Sequence, residues 1–244
     1  MNYDWDWLIL LKPSLTGEGL YGTMLLKGLG WTLLISLVSW VVSLALGIAL
    51  GVGRSIESRL VHWPVTVYVH CFRNTPLLVQ LFLWYFVLPE LLPVRWGDAL
   101  KMMDPVLNQA LTVIVCLTLY TAAKTAEQVN AGLQSIPLGQ KLAATALGLG
   151  TLGAYRHVLL PQALRTVVAP LTSDFMNVFK NSAAALTIGL MELTGMSRQV
   201  SEFSAQPVEV FTAATLGYML ITLLVVWLMS WIEMRSRVPG MLGS

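Results

Sequence analysis

Asp174, Asn177, Lys180 and Asn181 stand together in an otherwise apolar stretch. At helical spacing Asp174, Asn177 and Asn181 are i, i+3 and i+7 on one face, with Lys180 about a third of a turn away. An aspartate can hold an ammonium group and a lysine a carboxylate, so such a face has the chemistry of a path for a polar solute. The bland alternative is an Asp174–Lys180 pair, or a hydrogen-bond network at a helix end. Arg73 opens a second group, Arg73-Asn74-Thr75-Pro76, with Gln80 at i+7 from Arg73 and expected on the same face. An arginine beside a helix break could hold a carboxylate through two parallel N–H bonds. It could equally reach the membrane interface, or pair with Asp174 or with an acid on a partner. Pro76 removes a backbone hydrogen bond and must bend its helix or open the first turn.

These groups need a scaffold, and composition names the solvent around it. The chain has 244 residues, 56% hydrophobic and only 11% charged. Soluble domains carry roughly 25% charged residues, so the excess apolar surface belongs in a bilayer. Ionisable groups within spans cost roughly 2.5–3.5 kcal/mol each on insertion scales. Those present must therefore face protein or an aqueous path.

A span takes about 20 mostly apolar residues. The sequence predicts an all-α membrane protein of five spans, at about 28–53, 63–89, 105–126, 166–190 and 210–232. Basic residues choose the side. Arg54 and Arg59 follow span one, Lys124, Lys141, Arg156 and Arg165 lie around the loop before span four, and Arg235 and Arg237 follow span five. The alternate connections are poorer in base or balanced by acids. The N-terminus is thus expected outside, and the loop at about 130–165 and the C-terminus in the cytoplasm. Residues 1–24 read as an interfacial segment rich in Trp and Leu, without the basic start of a cleavable signal peptide. Residues 25–235 form the transmembrane domain and 236–244 a cytoplasmic tail.

Ser39, Ser43, Gly47 and Gly51 recur every four residues in span one, a small-xxx-small ridge for close helix packing or a chance run of small residues. Trp31, Trp84, Trp227 and Trp231 fall near span ends, where indoles favour the interface. Cys71 and Cys116 read as free thiols, and His62, His70 and His157 lack metal-ligand spacing. No GxxxxGK[ST] loop is present, so no ATP site, metal or other cofactor is expected in this chain.

Three ordered motifs carry a resemblance. Ala143-Ala144, Gly148, Val158, Leu160 and Pro161 resemble the EAA-x3-G-x9-I-x-LP loop of ABC importer permeases. Cys71 to Gln80 resembles the FRGTPLLVQ segment of polar amino-acid permeases. Phe179-Lys180-Asn181-Ser182-Ala183, followed by Leu186 and Ile188-Gly189, resembles their LK-[DN]-[ST]-S-L…IG segment. The likeness covers about residues 25 to 235 and is nearest to glutamate/aspartate importer permeases. One position departs: Leu142 stands where the loop usually begins with glutamate.

The resemblance implies a five-helix subunit of a type I ABC importer in a bacterial inner membrane, performing no bond chemistry of its own. Its implied partners are two ATP-binding subunits, a second permease (expected to be a different homologous chain), a periplasmic amino-acid-binding protein and membrane lipid, with no nucleic acid. It also implies a coupling helix within Ala143 to Gly153, with Gly148 as the turn. The substrate implied is glutamate or aspartate, or otherwise glutamine, asparagine or another polar amino acid. Relatives for basic amino acids often carry an acid where Asn181 stands, and a neutral amide suits an acidic substrate or its amide. The rivals are weaker. A secondary transporter usually shows internal repeats and more spans. A membrane enzyme needs clustered reactive side chains. A plain anchor has no use for Arg73, Asp174 and Lys180 within its spans.

Overall fold

A computed structural model describes residues 3–15, 17, 19–56 and 58–236. Arg237 and the predicted tail beyond Ser236 lie outside the described residues. Among the described residues all regular structure is helical, apart from one isolated bridge between Pro13 and Leu20.

Helix α1 runs Tyr21–Ser55, longer than its uncharged stretch at both ends. Helix α2 is Arg59–Asn74, and α3 is Leu77–Leu91. Thr75 (φ −96°, ψ 132°) and Pro76 (φ −57°, ψ 135°) between them are extended, and the chain bends there by 105°. The residue before a proline is pushed out of the helical region, which is why the break falls at Thr75. Helical register does not pass through such a break, so Arg73 and Gln80 do not share a helix face. That expectation is corrected.

Helix α4 is Val94–Lys101 and α5 is Pro105–Gln134, which outruns the predicted end at 126 by two turns. Pro105 suits the first position of α5 because the missing N–H has no intrahelical acceptor there. The region read as a loop is largely helical. It holds α6 (Leu138–Ala146), α7 (Thr151–Ala154) and α8 (Leu160–Thr166). Helix α9 is Val168–Ser182, followed by a tight helical stretch Ala183–Ile188 that ends at Gly189 with φ +92°. Helices α10 (Leu193–Ser204) and α11 (Pro207–Ser236) complete the chain.

Two helices admit a proline by widening for one turn. A wide π-type turn at Leu83–Val87 precedes Pro89, and another at Tyr155–Leu159 precedes Pro161. Proline lacks the N–H and clashes with the carbonyl four residues back. A turn closed to the fifth residue relieves both problems.

Three helices, α1, α5 and residues 207–235, are each long and apolar enough to cross a membrane, and the bent pair α2–α3 makes a fourth if counted as one broken span. The predicted span 166–190 is not one regular α-helix: α9 passes directly into the tight stretch Ala183–Ile188. Val167 (φ −101°, ψ 5°) interrupts the helix, and α9 has 15 residues. At 1.5 Å per residue α9 rises about 22 Å, short of a hydrocarbon core of about 30 Å.

The chain forms two compact units. The first comprises Met1–Ser39, Pro76–Leu117 and Val178–Leu223. Its core gathers Ile9, Tyr21, Met24, Leu25, Leu193, Val200, Val210 and Ala214. Glu209 at the start of α11 pins the N-terminal segment, accepting from the Tyr3 hydroxyl and from the Asp6 amide at 2.8 Å. The second unit comprises Trp40–Thr75, Thr118–Asn177 and Leu224–Ser244. Val129, Leu133, Ile136, Leu159 and Ala163 form its core, and Trp40 stacks on Phe175 with ring centres 4.6 Å apart.

Candidate functional site

Within the second unit, Asp174 is 6% exposed. Its carboxylate accepts a hydrogen bond from Gln128 Nε2 at 2.6 Å and lies 3.9 Å from Lys124 Nζ. Lys124 and Gln128 are i and i+4 on α5, so one helix face meets the acid. The considered Asp174–Lys180 pair is therefore corrected: the ammonium beside Asp174 belongs to Lys124, while Lys180 is exposed. Sequence reasoning took Lys124 as a charge marking the cytoplasmic side. A base at i and an amide at i+4 in an apolar helix was the signal that could have identified it. Asn177, one turn on from Asp174, is half-buried.

The same α5 face supplies Glu127, which bonds both Arg54 of α1 and Arg73 of α2, the latter at 2.7 Å. Of the alternatives open for Arg73, the geometry selects an acid partner, on this chain and not Asp174. One carboxylate serving two guanidinium groups leaves a positive remainder. With Lys124 and Asp174 added, three bases face two acids, a local surplus of one positive charge. Arg73 keeps 41% of its side-chain surface exposed, so its remaining donors stay accessible.

In the first unit, Gln80 is buried in α3. Asn181 is half-buried and borders a cavity of about 10 Å³ walled by Leu77, Leu81, Val113 and Cys116. That space holds one water molecule at most. Glu192 is fully buried here. It caps α10 through the Gly195 amide (3.0 Å) and accepts from Thr32 of α1 (3.1 Å) and Tyr218 of α11 (2.7 Å). Three helices thus meet on one carboxylate. Glutamate is not among the favoured N-cap residues, so its place ahead of a helix did not mark this role.

The ridge on α1 makes close contacts along its length. Ser39 Oγ points to the Ile114 carbonyl at 3.4 Å, and Ser43 is buried with its hydroxyl bonded to the Trp40 carbonyl. A Cβ at Gly47 would stand 2.5 Å from Thr125 Cβ, and one at Gly51 2.7 Å from Val129 Cβ. Only hydrogen fits between α1 and α5 at those two places.

The segment resembling the permease loop folds as α6, a turn and α7. Gly148 has φ +77°. Its amide bonds to the Thr145 carbonyl at 2.9 Å, and the Leu149 amide reaches back to Ala144 at 3.1 Å. This pair of bonds is the Schellman ending of a helix, whose left-handed residue is normally glycine. Ala144 is buried, whereas Ala143 and Pro161 are exposed and Val158 and Leu160 half-buried. Gln162 ties α8 to Gln140 of α6 at 2.8 Å, and Tyr155 bonds to Ser55, the last residue of α1, at 3.1 Å. The segment is therefore linked to the end of a long helix.

Residues 43–238 match the family described as binding-protein-dependent transport system inner membrane component. The chain is 42% identical over 244 residues to the glutamate/aspartate import permease protein GltJ of Escherichia coli (strain K12), covering 100% of this chain and 99% of that one. It is 34% identical to the probable glutamine ABC transporter permease protein GlnM of Bacillus subtilis (strain 168), over 82% of this chain and 88% of the relative. The crystal structure of an amino acid ABC transporter with histidines superposes with a TM-score of 0.74 at 26% identity, covering 88% of this chain and 95% of the other. Motifs, helical architecture and these likenesses agree: the chain belongs to the family of binding-protein-dependent transport system inner membrane components, as an amino-acid permease of the ABC importer type.

Proposed function

We propose that this chain is a permease subunit that carries glutamate and aspartate from periplasm to cytoplasm across a bacterial inner membrane. The observation that carries the reading is the 42% identity, over the whole of both chains, to a glutamate/aspartate import permease. Two features of this chain fit an anionic substrate. The α5 cluster keeps one positive charge in surplus, and Asn181 is a neutral amide where an acid would repel a second carboxylate. Arg73, Gln80, Asp174, Asn177, Lys180 and Asn181 are the proposed groups along the path.

The chain crosses the membrane five times in this reading, with its N-terminus outside. The α9 helix and the tight stretch Ala183–Ile188 together supply the fourth crossing: about 22 Å plus six residues at roughly 2.0 Å each reach across the hydrocarbon. The subunit catalyses nothing and holds no cofactor. Two ATP-hydrolysing subunits grip the segment around Ala143, Ala144, Gly148, Val158, Leu160 and Pro161, a second and different permease completes the path, and a periplasmic binding protein delivers the amino acid. Closure of the ATP-hydrolysing subunits moves the segment, and the linked helices follow as near-rigid bodies. A second reading, transport of glutamine or asparagine, draws on the 34% identity to a probable glutamine permease.

The test is substrate-stimulated ATP hydrolysis by the purified assembly, with binding protein present and each amino acid offered in turn. Glutamate and aspartate are expected to stimulate most. Stimulation by glutamine alone would favour the second reading, and stimulation only by lysine or arginine would overturn both.

A further inference from the structure

Helix α2 carries three distinct faces. At about 100° per residue, Val61, Val65, Tyr68, Val69 and Phe72 share the first. It packs on protein: Val69 is fully buried, Val61 and Val65 flank Gly53 of α1, and the Tyr68 hydroxyl donates to the Leu119 carbonyl of α5 at 2.7 Å. The second face holds Leu60, Trp63, Val67 and Cys71. All four are exposed, Leu60 to 88% and Trp63 to 67%. The third holds Arg59, His62, His70 and Arg73, exposed as well. No Asp or Glu occurs between Arg59 and Asn74. An apolar strip beside a basic strip is the pattern of a helix lying in a membrane interface.

Direction and depth agree with that pattern. His62 Nδ1 donates to the Arg54 carbonyl at 2.6 Å, and Arg73 shares Glu127 with the Arg54 guanidinium. His62 and Arg73 stand about 16 Å apart along α2, yet both lead to one residue of α1. Helix α2 therefore runs across α1 and not along it, and the 105° bend after Asn74 sets it off from α3. In the proposed orientation Pro105 opens α5 at the outer side. Leu119 and Glu127, the α5 partners of Tyr68 and Arg73, are then about 21 and 33 Å inward. The inner edge of a hydrocarbon core about 30 Å thick falls between them. We infer that α2 lies along the inner leaflet as a surface helix, with Leu60, Val67 and Cys71 among the acyl chains, and that Arg59 binds the phosphate of an acidic phospholipid there. The inner leaflet carries the anionic complement of such an edge. This rests on the proposed orientation. The second crossing then belongs to α3: about 22 Å of helix and two extended residues at roughly 3.3 Å each reach across the hydrocarbon. Arg73 lies at the boundary, where a charge costs little.

The experiment places one nitroxide at a time on α2 of the complete transporter, in liposomes of phosphatidylethanolamine and phosphatidylglycerol. Cys116→Ala is present throughout, and Cys71→Ser wherever Cys71 is not the labelled site. Labels at Leu60→Cys, Val67→Cys and the native Cys71 should collide mostly with oxygen and lie at equal depth. Labels at Arg59→Cys and His70→Cys should collide mostly with a water-soluble nickel chelate. A crossing helix would instead place Cys71 about 16 Å deeper than Leu60, and that result overturns the inference. Labels shielded from both reagents at every position would mean that a partner subunit covers the face, which also overturns it. For the headgroup, phosphatidylglycerol is titrated into delipidated transporter and bound lipid is read by native mass spectrometry. Arg59→Gln should weaken the tightest binding about fivefold, the scale for one cation at an anionic surface, and Lys101→Gln on α4 should leave it unchanged. Equal binding by Arg59→Gln and wild type would overturn the phosphate contact. An impermeant maleimide should reach Arg59→Cys only in opened cells. Reaction in intact spheroplasts, with label depths still equal, would overturn the orientation and with it the inner-leaflet seat, whereas unequal depths overturn the surface helix alone.

Discussion

Asp174 is buried beside one ammonium and one amide, and both of its partners sit on a single turn of α5. Removing the carboxylate leaves Gln128 and Lys124 facing a small apolar gap. A buried donor stripped of its acceptor costs about 1–3 kcal/mol. Asp174→Ala should therefore lower the thermal unfolding midpoint of the detergent-purified subunit by that equivalent, and the loss should be non-additive with Gln128→Ala. An unchanged midpoint would show that the carboxylate is held for transport alone. Asn181 tests the electrostatics of the path. Asn181→Asp adds a negative charge at the head of the Ala183–Ile188 stretch and should raise the concentration of aspartate or glutamate needed for half-maximal ATPase stimulation by about tenfold or more, since juxtaposed like charges are strongly disfavoured. Equal response to the acidic substrates in wild type and variant would remove Asn181 from the path. The partner choices made by Arg73 and Asp174 were not legible in the sequence. Spacing shows which residues share a helix face, but Glu127 and Lys124 reach their partners from another helix, some fifty residues away, and only tertiary packing brings them there.

Helices were read better than their interruptions. The small ridge on α1 told correctly which residues are small; what it could not tell was that α5 presses Thr125 and Val129 into the spaces at Gly47 and Gly51. Gly51→Val should destabilise the subunit by about 1–3 kcal/mol through overpacking. Gly30→Ala on the same helix should be neutral or slightly stabilising, because a Cβ there meets nothing within 4 Å. Comparable membrane abundance and unfolding midpoints for the two variants would mean that α1 and α5 tolerate separation. Pro76 gave fair warning of the break between α2 and α3, since a proline constrains its neighbour locally. The break at Val167 had a local sign as well: Pro170 lacks the N–H and its ring clashes with the Thr166 carbonyl four residues back, where α8 ends. The burial of Glu192 has no such local sign. Its burial depends on Thr32 and Tyr218, which come from opposite ends of the chain.

At the scale of the whole molecule, composition pointed to the bilayer as solvent and three ordered motifs identified the family, and both readings required only local sequence. The family's work is mechanical. In the proposed mechanism a segment linked to the end of α1 through Tyr155 and Ser55 carries movement from outside the membrane to helices that hold polar side chains within it. In that proposal the charge clusters on α5 act as fixed electrostatic surroundings for a solute, and the energy comes from nucleotide hydrolysed on other subunits. That division of labour separates this account from an ion-coupled transporter built on the same buried Asp174 and Lys124. The most direct measurement is uptake of labelled aspartate into proteoliposomes containing this permease with its partner permease, its ATP-hydrolysing subunits and the binding protein. The account predicts uptake only with hydrolysable ATP inside or at the subunit face, at an unchanged rate when proton and sodium gradients are collapsed. Uptake at full rate without the ATP-hydrolysing subunits, or uptake abolished by collapsing an ion gradient while ATP persists, would contradict it.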